Sequence, residues 1–147
     1  MTSEIRRVLL VEDDPEDVEL ILTALERYNL ANRIDVARDG KEALDYLFCT
    51  GSFSERPSGN PCVMLLDIKL PRISGLEVLS KLRSCEALKN IPVVILSSSR
   101  EEADLKHGYE LGVNAYVVKP VEFKDFVEAV RTCGLFWVLL NEVTHEC

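Results

Sequence analysis

The chain has 147 residues, enough for one compact domain and too few for two. Its 47% apolar and 29% charged residues match a soluble globular protein rather than a fibrous or disordered one. A net charge of −8 argues against DNA or an anionic membrane surface as a direct partner.

Met1 to Arg7 is polar and carries no secretion signal, so a cytoplasmic location is expected. Val8–Val11 reads as a buried strand. A helix is predicted over Pro15 to Tyr28, because Val18, Ile21, Leu22 and Leu25 repeat at helical spacing. Asp14 is placed to cap it, Pro15 to open it, and Glu16 and Asp17 to lie in its first turn. Ile34–Ala37 is a second strand. Asp39-Gly40 breaks the chain, and Lys41 to Phe48 follows as a helix. The polar stretch from Cys49 to Pro61 reads as an extended surface loop. Val63–Asp67 is a third strand, apolar until its last residue, as a central parallel strand should be. Leu76 to Cys85 is a helix, Val93–Ser97 a strand, Glu101 to Leu111 a helix, and Ala115–Val118 a fifth strand. A long final helix is predicted over about 122–141. The longest unbroken apolar run, Leu135 to Leu140, is far too short to span a membrane. The five cysteines (Cys49, Cys62, Cys85, Cys133, Cys147) are scattered and form no CxxC or Cys/His cluster, so reduced thiols are expected.

Five strand-then-helix repeats predict a doubly wound α/β domain: a parallel five-stranded sheet flanked by five helices, with right-handed crossovers. Such sheets bind ligands at the carboxyl ends of their strands. Those ends carry Glu12-Asp13-Asp14, Asp67, Ser97-Ser98-Ser99 and Lys119-Pro120. Each has an ordinary explanation alone: a helix cap, a turn aspartate, a serine loop, a Lys-Pro turn. Four strand ends converging on one edge of the sheet are harder to dismiss.

Glu12, Asp13 and Asp67 would then crowd together. Two like charges 4 Å apart repel by about 4 kcal/mol at an effective dielectric of 20. A hard divalent cation relieves that repulsion. Mg²⁺ suits a few carboxylates, keeps its own waters and leaves room for a phosphate oxygen; Mn²⁺ is an alternative. Lys119 adds a second positive charge. A cation and a lysine around a carboxylate favour phosphoryl transfer onto it, with Asp67 as nucleophile and Ser97 near a phosphoryl oxygen.

The segments Val8-Leu-Leu-Val-Glu12-Asp13-Asp14, Val63-Met-Leu-Leu-Asp67, Leu70-Pro-Arg-Ile-Ser-Gly75, Pro92-Val-Val-Ile-Leu-Ser97 and Ala115-Tyr-Val-Val-Lys119-Pro120 together resemble the response-regulator receiver domain of two-component signalling. The resemblance covers nearly the whole chain, as one receiver domain over 1–147, and implies a flavodoxin-like fold with strand order 2-1-3-4-5. It implies that Asp67 accepts a phosphoryl group from a sensor histidine kinase. It also implies that Asp13, Asp67 and the Lys69 backbone carbonyl hold Mg²⁺ directly, and that Glu12 reaches it through water. Lys119 would pair with phosphate, Ser97 and Tyr116 would form a switch pair, and Lys119–Pro120 would be a cis peptide. The protein would be a signalling phosphoacceptor rather than an enzyme.

The long loop, the Leu70-Pro-Arg72 turn and the tail Phe136–Glu142 resemble single-domain regulators paired with bacterial phytochrome-type histidine kinases. Output would then run through protein partners: a downstream target, a histidine phosphotransfer protein or the kinase itself. The last helix carries a stripe of Phe126, Val130, Cys133, Trp137 and Leu140. Either it folds back on the body, or it forms a homodimer through Phe126, Val130, Trp137 and Leu140. Lys69 and Ser99 border the expected path of the hydrolytic water and are candidates for tuning phosphate lifetime. Three other readings compete. A phosphohydrolase with an aspartate nucleophile would want a second aspartate where Lys69 stands. A nucleotide or flavin binder would want a glycine-rich phosphate loop, which is missing. A phosphorylation-independent adaptor would not need the whole acid, hydroxyl and lysine set.

Overall fold

The computed structural model describes residues 7–27, 33–57, 59–97, 102–119, 122, 124, 125 and 128. Five parallel strands, β1 (Arg7–Val11), β2 (Arg33–Ala37), β3 (Val63–Leu66), β4 (Val93–Ser97) and β5 (Ala115–Val118), form one sheet in the order β2-β1-β3-β4-β5. The helices α1 (Pro15–Arg27), α2 (Gly40–Phe48), α3 (Gly75–Arg83) and α4 (Glu102–Glu110) lie between them in the chain. The flavodoxin-like order expected from sequence is the one observed.

The central strands are apolar because both of their faces are covered. Leu9, Val11, Met64, Leu66 and Ile95 pack with residues of α2 and α3 on one side. Val8, Leu10, Leu65, Val94 and Leu96 pack with Val18, Ile21 and Leu25 of α1 on the other. Each such side chain, once buried, contributes about 1.5–3 kcal/mol.

The helix ends follow their local chemistry. Asp14 accepts a hydrogen bond from the Glu16 N–H at 2.9 Å, which opens α1 as expected. Asp39 accepts from the Glu42 N–H at 2.8 Å to cap α2, and Cys49 closes that helix in the left-handed region at φ 56°. Ser74 and Glu77 form a capping box on α3, each side chain accepting from the other's N–H at 3.2 Å.

Most element ends shift by a residue or two from the sequence reading, as α3 does in spanning Gly75–Arg83 rather than Leu76–Cys85, and two departures bear on the site and its surroundings. The loop after α2 is not wholly irregular, since Gly51–Phe53 winds into one 3-10 turn. The Phe53 ring meets Tyr46 edge-on at 5.1 Å, and the Arg56 guanidinium lies 4.0 Å over the Tyr46 ring while donating to the Tyr46 carbonyl at 2.7 Å. The other departure is that β3 ends at Leu66, leaving Asp67 just beyond the strand. Of the stretch expected as the final helix, only Glu122, Lys124, Asp125 and Glu128 are described, and all four are exposed. Phe126, Val130, Trp137 and Leu140 lie outside the described residues, as do Ser99 and Pro120 with its expected cis bond. Among the described residues no helix is long and apolar enough to cross a membrane, and Cys49, Cys62 and Cys85 form no disulfide.

Candidate phosphoryl and metal site

The sheet's backbone ladder runs one step past the strand ends and carries the site residues with it. The Glu12 N–H donates to the Ala37 carbonyl at 3.0 Å, the Asp67 N–H to Val11 at 3.0 Å, and the Lys119 N–H to Ser97 at 2.9 Å. Each bond holds its residue at the same rim of the sheet. A cavity of about 470 Å³ opens there, lined by Glu12, Asp13, Asp14, Asp17, Asp67, Lys69 and Lys119.

Lys119 is the hub. Its Nζ lies 2.6 Å from Glu12 Oε1, 3.0 Å from Asp67 Oδ2 and 3.0 Å from Asp17 Oδ2. It donates a well-formed hydrogen bond to Asp67, whose other oxygen accepts the Lys69 N–H at 3.2 Å. Burial alone would favour the neutral amine, but contacts with Glu12, Asp67 and Asp17 outweigh it and hold Lys119 firmly protonated. Glu12 is almost fully buried, and desolvation pushes its carboxyl up to about 7. The Lys119 ammonium works against that shift and the Asp67 charge adds to it. Its Oε2 accepts from the Asp14 N–H at 3.2 Å. Oε1 forms an ion pair with Lys119 Nζ and has no other partner among the described residues.

That buried oxygen bears on whether the site suits a cation. Glu12, Asp13 and Asp67 each offer a carboxylate oxygen, and the three lie within 4.8 Å of one another. They are hard oxygen donors, and Glu12 Oε1 has only the Lys119 ammonium beside it. The set fits a small divalent cation of the Mg²⁺ or Mn²⁺ kind.

The structure thus brings Glu12, Asp13, Asp67, Lys69 and Lys119 together. Ser97 is fully buried at the end of β4 and does not line the cavity. Tyr116 pairs with Ile95 in the register of β4 and β5, half-buried against the core on the face that Ser97 shares with Ile95. Asp17 is the residue that sequence reasoning placed only in the first turn of α1. Its signal was there, an acid in the first turn of a helix that follows a strand end. What no pattern gives is the rotation of α1 that aims it at Lys119.

The loop behind Asp67 is held by close backbone approach. The Gly75 N–H donates to the Ile68 carbonyl at 2.8 Å. A Cβ on Gly75 would meet the Asp67 carbonyl oxygen at 2.1 Å, and one on Gly40 would meet the Ile73 carbonyl oxygen at 2.0 Å. Within this loop Arg72 takes φ 69° and pairs with Asp39 at 3.1 Å.

An acidic cation pocket beside a lysine-bound aspartate, at the carboxyl edge of a 2-1-3-4-5 sheet, defines a phosphoacceptor class. The family description "Response regulator receiver domain" matches residues 8–131, and the chain belongs to that family. Two bacteriophytochrome response regulators of known structure resemble it. AtBRR has a TM-score of 0.83 and 61% identity, covering 95% of this chain and 99% of that one. RtBRR has a TM-score of 0.85 and 58% identity, covering 95% and 84%. Response regulator Rcp1 of Synechocystis sp. is 36% identical over 131 residues, which span 89% of this chain and 88% of Rcp1. A crystal structure of the Mn(2+)-bound form of Rcp1 has a TM-score of 0.77 and 34% identity, covering 95% of this chain and 96% of that one. The protein is a response regulator of two-component signalling, a class that accepts phosphoryl groups on aspartate from histidine kinases.

Proposed function

We propose that Asp67 is the phosphoacceptor, and that the protein works as a single-domain regulator, cytoplasmic, serving a phytochrome-type sensor histidine kinase. A histidine phosphotransfer protein is a second source or recipient of the phosphoryl group. The observation that carries the reading is the 3.0 Å hydrogen bond from Lys119 Nζ to Asp67 Oδ2 inside a pocket walled by Glu12 and Asp13. The likeness to the bacteriophytochrome response regulators AtBRR and RtBRR supports the phytochrome assignment.

An Asp67 carboxylate oxygen attacks phosphorus in line. The new P–O bond forms as the P–N bond to the donor imidazole breaks, and the imidazole takes a proton from water. Lys119 holds the acceptor carboxylate in place and neutralises charge on the phosphoryl oxygens. Glu12, Asp13, Asp67 and the Lys69 carbonyl would hold Mg²⁺, with Mn²⁺ as a substitute. When bound, the cation supplies positive charge facing the transferring group. The Ser97 hydroxyl then turns toward the phosphoryl group and Tyr116 moves into the space released. This two-state change is biased by one new charge-assisted contact. Lys69 is exposed on the cavity wall and would tune phosphate lifetime together with Ser99. A homodimer through Phe126, Val130, Trp137 and Leu140 rests on the sequence stripe alone. Sedimentation with and without Trp137→Glu tests it.

The central test is labelling with acetyl phosphate. Wild type should gain one phosphoryl mass, only with Mg²⁺ present, and Asp67→Asn should gain none. A wild type that stays unlabelled yet binds its partner would point to the adaptor instead.

A further inference from the structure

Asp17 stands outside every role assigned so far, yet it shares the central ammonium of the site. Three carboxylate oxygens surround Lys119 Nζ: Glu12 at 2.6 Å, Asp67 at 3.0 Å and Asp17 at 3.0 Å. All three are ion-pair contacts of one ammonium, so an added phosphoryl oxygen must compete with them for its charge and its N–H groups. We propose that Asp17 is a positioning residue of the phosphoryl site: it competes for Lys119 before transfer, and it is the carboxylate that gives up the ammonium to the incoming phosphoryl oxygen.

The three rivals are unequal. Glu12 is 1% exposed, so its carboxylate cannot swing out to bulk solvent without moving its neighbours. Asp67 carries the phosphoryl group itself and stays beside Lys119. The Asp17 side chain is 26% exposed, on the first turn of α1, where it can swing to solvent and recover its hydration. Displacing Asp17 therefore costs least. Its carboxylate has a second effect, because it adds negative charge to a mouth that a phosphate dianion must enter. The ordinary alternative is that Asp17 serves only as an acid at a helix N-terminus. That role moves stability and leaves the transfer rate alone.

The inference rests on Asp67 as phosphoacceptor, and the experiment separates the two. Initial rates of acetyl phosphate labelling are measured in Mg²⁺ for wild type, Asp17→Asn, Asp17→Ser, Asp17→Glu and Asp67→Asn, at low salt and in 0.5 M salt on the order of a 4 Å Debye length. Both uncharged variants should label about fivefold faster than wild type at low salt, with the gain shrinking in high salt. Asp17→Glu, which restores the charge, should bring the rate back toward wild type. Binding of beryllium fluoride, a non-covalent phosphoryl stand-in, should tighten in the same two uncharged variants. Asp17→Ser keeps a good first-turn residue, so one folded uncharged variant decides the matter even if the other is unstable. Folded uncharged variants that label at or below the wild-type rate overturn the role given to Asp17. Labelling that persists in Asp67→Asn overturns the acceptor assignment instead.

Discussion

Gly75 and Asp67 touch through their backbones: a Cβ on Gly75 would lie 2.1 Å from the Asp67 carbonyl oxygen and 2.7 Å from Ile68 Cα. The start of α3 is pressed against the peptide that carries the acceptor side chain. Neither neighbour is the flexible end of a side chain, so neither can yield without moving the acceptor.

Gly75→Ala should therefore damage stability and chemistry together. Overpacking of this kind costs about 1–3 kcal/mol. The same displacement shifts Asp67 relative to Lys119, and misplacement by about 1 Å can cost on the order of a hundredfold in rate. Urea unfolding and acetyl phosphate labelling of one preparation check both effects. A variant as stable as wild type that labels at the wild-type rate would show that the loop relaxes freely.

Tyr46 gives a prediction at alkaline pH. Its hydroxyl donates to Asp35 Oδ2 at 2.7 Å, and burial, then that contact, raise the phenol to about 12. A group raised in the folded state stabilises fully below its unfolded value, near 10. That stability drains away as pH rises through the folded value. Wild type should lose stability between about pH 10 and 12, and Tyr46→Phe should lack that component. At pH 7 the substitution should cost about 1 kcal/mol, the usual worth of one hydrogen bond. Denaturant midpoints at pH 7, 10 and 11.5 test the pattern; equal slopes for both proteins would contradict it.

These residues also mark what sequence patterns convey. Val8–Val11 and Val93–Ser97 are continuous apolar runs because both faces of their strands are covered, so period and composition reveal them directly. The strand ends follow: Glu12 comes after Val8–Val11, Asp67 after Val63–Leu66 and Lys119 after Ala115–Val118. The docking of Phe53 and Arg56 on Tyr46 does not follow, since a polar stretch reads as loop whether or not two of its residues find an aromatic ring. Gly75 was visible as part of a motif, but its reason, a contact with the Asp67 carbonyl, exists only in three dimensions. Asp17 is the sharpest case. First-turn acids are common, and only the setting of α1 against the end of β5 distinguishes this one.

Arg83 should resist replacement by lysine. Its Nε donates to the Leu111 carbonyl at 3.0 Å, one terminal nitrogen to Lys89 and Ile91 at 2.8 Å, and the other to Gly112 at 2.8 Å. One planar fork ties the end of α3 to the turn before β4 and to the turn after α4. Lysine has one nitrogen and cannot reach three directions. Arg83→Lys should cost about 2–3 kcal/mol, the carbonyls losing charged donors. Hydrogen exchange should rise in 89–91 and 111–113 before it rises in β1. Uniform loss across the sheet would mean that Arg83 acts on global stability and not as a local tie.

Glu12 ties the metal site to pH. With a chelator present, its carboxyl is raised from an ordinary value near 4.5 to about 7, chiefly by desolvation. The raised group contributes stability that is complete below about pH 4.5 and is lost as pH climbs through 7. Chelated protein should therefore melt at a lower temperature at pH 8 than at pH 5.5 through this contribution. A divalent cation reverses the trend, because it binds the carboxylate form and expels the proton. Mg²⁺ affinity should accordingly rise from pH 6 to pH 8, and Mg²⁺ at about 100 times its Kd should add about 2.7 kcal/mol of stability. Glu12→Gln should flatten the chelated pH profile and weaken Mg²⁺ binding at pH 8. Thermal melts and Mg²⁺ titrations at the two pH values decide it. Affinity that is equal at pH 6 and 8 would mean that Glu12 is already ionised in the metal-free protein, with Lys119 overcoming its burial.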